Sequence, residues 1–88
     1  MKNEMIKAVK NMVKETKIEA LQEELLDIAK YINRLGDSDF DDDVFSFIES
    51  RLMIAYGAPE RYNQGDYDRI SGWAERLHGI WQGHLHGY

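Results

Sequence analysis

Three groups of side chains in this sequence have the types and spacing to do chemistry: a run of carboxylates, a group of late histidines, and one arginine on an apolar helix face. The run Asp37-Ser-Asp-Phe-Asp-Asp-Asp-Val sets acids at Asp37, Asp39, Asp41, Asp42 and Asp43. Its first, third, fifth and eighth positions match a calcium-binding EF-hand loop. The sixth position needs glycine for a sharp turn and is Asp42. The twelfth needs a bidentate glutamate and is Ile48, with Glu49 one residue late. The essentials are missing, so the run reads as the over-capped, solvated start of a helix. Its functional reading is an acidic patch facing a basic partner, because such charge fields steer association. His84 and His86 are two residues apart and cannot share one helix face, and His78 lies further back. With no cysteine and no adjacent carboxylate, the histidines imply no metal site.

Arg51 falls within the apolar arc of its helix, beside Val44, Phe47, Ile48 and Ile54. It reads either as an arginine paired at the edge of the core or as a fork for an anionic ligand. Lys7, Lys10, Lys14 and Lys17 form a stripe that can pair with the acids of residues 37–43 or meet an anion. No nucleophile–base pair, phosphate-binding glycine loop or metal triad is present, so the sequence does not support an enzyme or a cofactor site.

Glycine is the other anomaly. Gly72, Gly79 and Gly83 fall inside a segment that otherwise reads as the last amphipathic helix, from about Asp66 to His84. At about 100° per residue, Ile70, Trp73, Leu77, Ile80, Trp81 and Leu85 share an apolar arc and the glycines line up opposite it. Each costs about 1 kcal/mol against alanine in a helix interior. A bare backbone strip permits close approach of another surface, so the glycines, with Trp81 as an aromatic anchor, read as a contact face.

These features need helices to position them. Eighty-eight residues with 43% hydrophobic content and no cysteine make one small domain, spanning residues 1–88. Met5, Ile6, Val9, Met12 and Val13 form one helical face. Ile18, Leu21, Leu25, Ile28, Ile32 and Leu35 form a second, in heptad spacing. On one continuous helix the two seams would be rotated by roughly 130° at residues 14–17. Thr16-Lys-Ile-Glu19 matches a capping box, which predicts a break there with Thr16 as N-cap and Gly36 as the later C-cap. The next helix runs from about Asp39 to Tyr56, with an apolar arc wide enough for the central helix of a bundle, and Gly57-Ala58-Pro59 stops it. A polar loop over residues 57–66 follows, and Asp66 caps the last helix. The expected fold is an all-α bundle of three main helices, the first of them either broken near residues 14–17 or continuous with two faces that serve different partners.

Charge narrows the function. The net charge is −5. Residues 1–17 hold five Lys and two Glu, for +3, whereas residues 37–49 hold five Asp and one Glu, for −6. Such a balance argues against direct nucleic-acid binding. No apolar run approaches the roughly 18 residues of a membrane span, and no signal peptide is visible, which sets a cytoplasmic location as the expectation. The leading expectation is a non-enzymatic protein-binding regulator or inhibitor, of the kind phages and mobile elements encode. It would cover a basic partner surface and could mimic nucleic acid through its acids. Its contact residues would be Asp37, Asp39, Asp41, Asp42, Asp43, Gly72, Gly79, Gly83 and Trp81. The rival expectation is a homo-oligomeric binder of a small anion such as a nucleotide, through Arg51, Lys7, Lys10 and Lys14.

Overall fold

Two apolar seams that cannot share one straight helix are separated by a reversal of the chain. In the computed structural model, which describes residues 1–57 and 63–87, α1 spans Lys2–Glu15 and α2 spans Glu19–Arg34. Thr16 is extended, at φ −121° and ψ 149°. α1 and α2 form an antiparallel hairpin: the Lys2 ammonium donates to the carbonyls of Asn33 and Leu35, at 3.1 and 2.7 Å. The break is therefore a full turn rather than a kink. Met5, Val9 and Met12 then face Leu21, Leu25, Ile28 and Ile32 across the hairpin, all of them buried.

Among the described residues the α-helices number four rather than three, because the broken first element becomes two separate packing units. A 3-10 turn at Asp37–Asp39 leads to α3, Asp42–Tyr56, and α4 covers Gln64–His86. Side-by-side packing joins α1 to α2, α2 to α3, α3 to α4 and α4 back to α1. The result is a closed up-down-up-down four-helix bundle measuring 39 × 20 × 19 Å. Among the described residues there is no strand and no helix long and apolar enough to cross a membrane.

The caps differ from expectation in informative ways. Thr16 is not the N-cap of α2; Ile18 is, without a side-chain cap. The Thr16 hydroxyl instead accepts from the Ile18 N–H at 3.2 Å, and its carbonyl accepts from the Gln22 amide at 2.9 Å. Thr16 thus closes the turn between helices and is buried there. Gly36 is not a left-handed C-cap: α2 ends on Leu35, and the Gly36 N–H donates to Asp39 at 2.8 Å. α3 begins three residues later than Asp39, with Asp41 as N-cap accepting from the Val44 N–H at 3.0 Å. Asn63, not Asp66, caps α4 by accepting from the Asp66 N–H at 2.8 Å. The Asp66 carboxylate accepts from the Tyr56 hydroxyl at 3.0 Å, tying the start of α4 to the end of α3. The helix continues past His84 to a left-handed Gly87 at φ 72°. Gly57, at φ 121°, stops α3. The Ala58–Pro59 stop, the rest of the loop to Tyr62, and Tyr88 lie outside the described residues.

Three residues assigned to apolar core faces are exposed. Phe47 and Ile54 lie on the side of α3 turned away from the bundle axis, at 47% and 76% exposure. A helix in a four-membered ring has only one inward face, so an apolar arc wider than half the circumference must surface. Leu85 is exposed because α4, at 23 residues, is far longer than α1 and α3, at 14 and 15.

The turn yields a first prediction. Thr16→Ala removes a buried hydroxyl that satisfies a backbone N–H and should cost about 1 kcal/mol in chemical denaturation. Amide exchange should be fast at residues 16–18 and slow on both sides. Protection running unbroken through residues 10–22 would contradict the hairpin.

Candidate functional site

The register of α4 against its two neighbours creates the site. Ser71, Glu75 and His78 project toward α3, whereas Arg69, Arg76 and Ile80 project toward α1. The Ser71 hydroxyl donates to Glu49 at 3.2 Å, and His78 Nε2 lies 3.0 Å from the Asp42 carboxylate. Gly72 and Gly79 fall on the outward line between these two sets. A Cβ added at either glycine would meet nothing within 4 Å, so neither glycine serves a close approach inside the fold.

Between α3 and α4 runs an open groove of about 370 Å³. Asp42, Glu49 and Glu75 line it, with Phe45, Ser46, His78 and Gly79. Three carboxylates thus face one histidine. A second groove, of about 460 Å³, lies between the start of α1 and the end of α4, lined by Met1, Glu4, Gly79, Ile80, Gly83 and His84. Gly79 borders both. Gly79 places no side chain between the two grooves. Trp81 sits half-buried, its ring 5.4 Å from Phe45 and 5.4 Å from His78.

The structure therefore brings Asp42 and Gly79 to one groove, with Gly83 in the neighbouring one, Gly72 further along the same strip and Trp81 packed behind the groove wall on Phe45 and His78. Asp37, Asp39, Asp41 and Asp43 are exposed on the α2–α3 link and the first turn of α3, at the same end of the bundle. Asp39 and Asp41 spend carboxylate oxygens on backbone N–H groups, so the run is built as caps and not as a cation loop. No group of three or more His, Asp or Glu residues able to hold a metal ion occurs among the described residues. Glu75 and Ser46 carry no mark in the sequence, and Glu49 stands out there only as a glutamate one residue late for a calcium loop. The pairing of α3 with α4 alone puts them together.

The residues of the small-anion reading do not converge. Arg51 donates to Glu24 through Nε at 2.6 Å and through its Nη2 nitrogen at 3.2 Å, a bidentate fork between α3 and α2. The Glu24 hydrogen bond and charge, with a smaller contribution from Asp27, raise the Arg51 pKa above its ordinary value. Lys7, Lys10 and Lys14 lie on α1, diagonally across the bundle from α3. The lysine stripe forms no ion pair with the acids of residues 37–43 among the described residues. Lys14 and Lys17 sit at the opposite end of the bundle from those acids. The chain matches no protein-family model, no curated protein and no solved structure.

The open space at the glycines fixes the sign of a substitution. Gly72→Ala combined with Gly79→Ala should raise the stability of the isolated bundle by about 1 kcal/mol per site, from helix propensity alone. A lower melting temperature in the double variant would mean that these positions are crowded or strained.

Proposed function

We propose that this protein is a non-enzymatic, protein-binding regulator that covers a basic surface of its partner with the α3/α4 face. The observation that carries the reading is the meeting of Asp42 and Gly79 in one open groove. Asp42 of the acidic run and Gly79 of the bare helix strip lie 37 residues apart in sequence, yet they line one groove. Charge and access thus occur together: carboxylates to attract a basic element, and a strip without side chains to let it lie close. Half-buried Trp81, packed on Phe45 and His78 of the groove wall, offers aromatic surface beside it, the type of side chain that most often anchors an interface.

The chemistry of the groove specifies the partner. Asp42, Glu49 and Glu75 present hydrogen-bond acceptors and negative charge, so lysine- or arginine-bearing protein segments fit and phosphates do not. A partner that normally binds nucleic acid through that basic segment would be blocked by such a face. On this reading the acidic surface acts as a charge mimic.

Affinity purification of the tagged full chain from its native cells, read with three variants, tests the proposal. Asp42→Asn with Glu75→Gln should weaken capture of a defined protein and reduce its salt dependence. Gly79→Gln should abolish capture while the fold melts normally. Lys10→Gln, on the α1 side, should leave capture unchanged. Loss on Lys10→Gln with indifference to the groove variants would overturn the reading, as would recovery of a small anion and no protein.

A further inference from the structure

The α2/α3 face has a different character from the acidic groove, and nothing in the proposed function uses it. Phe47 and Ile54 stand out on α3 with Arg51 between them, and Tyr31 of α2 packs on Phe47 at 5.3 Å between ring centroids. The Arg51 guanidinium lies 6.0 Å above the Phe47 ring while it holds Glu24. A groove of about 240 Å³ runs between the two helices. Its charged lining is Glu24, Asp27, Arg34 and Arg51, two of each sign, although the whole chain carries −5.

We infer that this face is a self-association surface on which a second copy of the chain packs, with α2 of each copy lying on α3 of the other. Two arguments select a second copy as the occupant. The first is charge. Copies meeting through the α3/α4 groove would oppose three carboxylates to three carboxylates. On the α2/α3 face the lining is neutral: α3 carries Arg51, and α2 carries Glu24, Asp27 and, at its end, Arg34. Both lining acids therefore sit on α2, opposite the Arg51 line of α3. A two-fold axis parallel to the helices sets α2 of one copy over α3 of the other at the same level. Arg51 then meets Asp27 of the second copy, and Phe47 meets its Tyr31. Such an isologous contact is self-complementary in charge and in apolar surface. The second argument is exposed apolar surface: Phe47 and Ile54 are 47% and 76% exposed along this one line of α3, and a second copy packed there covers both.

This surface shares no lining residue with the α3/α4 groove, so the two can be tested apart. Sedimentation equilibrium of the full chain from micromolar to millimolar concentration should show a monomer–dimer equilibrium. Ile54→Asp should weaken the dimer about tenfold or more. Its helical circular dichroism and the melting of the dilute monomer should not change, because Ile54 is 76% exposed and supports nothing in the core. Asp27→Lys should also weaken the dimer, and Gly79→Gln should not. A chain that stays monomeric at millimolar concentration overturns the inference. So does a dimer indifferent to Ile54→Asp, or one dispersed by Gly79→Gln.

Discussion

The indole of Trp73 holds the bundle closed. Trp73 is 1% exposed, and its N–H donates to the Glu15 carboxylate at 2.7 Å. Glu15 is the last residue of α1 and is met twice more from α4: Arg76 reaches its carboxylate at 3.4 Å and Arg69 its carbonyl at 3.2 Å. The seam between α1 and α4 is the least extensive of the four, so these contacts carry much of its specificity. A buried indole N–H without an acceptor costs about 1–3 kcal/mol. That cost disfavours any rotation or slide of α4 that separates Trp73 from Glu15. Fixing this level also fixes the others: His78 comes beside Asp42, and Gly79 and Gly83 come beside Met1 and Glu4.

From that register the surface follows. Ile70, Trp73, Ala74 and Leu77 point inward, so the glycine strip must point outward. Ser71, Glu75 and His78 must then face α3, where Glu49 and Asp42 meet them. The acidic groove is thus a consequence of how one aromatic residue is satisfied at the far side of the same helix. The ring arrangement also gives the bundle two unlike long faces. One is acidic and grooved between α3 and α4. The other, between α2 and α3, is electrically balanced and more apolar.

Much of the fold was legible because buried faces leave a period in the sequence. Met5, Val9 and Met12 mark α1, and Leu21, Leu25, Ile28 and Ile32 mark α2; the mismatch of their seams placed the break correctly. The role of Thr16 was misread because an N-cap and a turn-closing hydroxyl share the same residue type and differ only in backbone path. Phe47 and Ile54 were assigned to the core because periodicity reports that a residue is apolar, not that a neighbour covers it. The separate halves of the site, Asp42 and Gly79, were visible as a charge run and as glycines in a helix. Their meeting was not, and neither was the place of Glu49 and Glu75 in it, since only the pairing of α3 with α4 unites them.

On the proposed function, a protein covers the α3/α4 face in the cell. A photo-crosslinking side chain placed at Ser46, exposed in the groove, tests it most directly, with the same group at Lys10 on α1 as the comparison. Irradiation of living cells should give a discrete adduct with one other protein from position 46 and none from position 10. Adducts from position 10 alone, or no adduct from position 46 at native expression, would contradict the account.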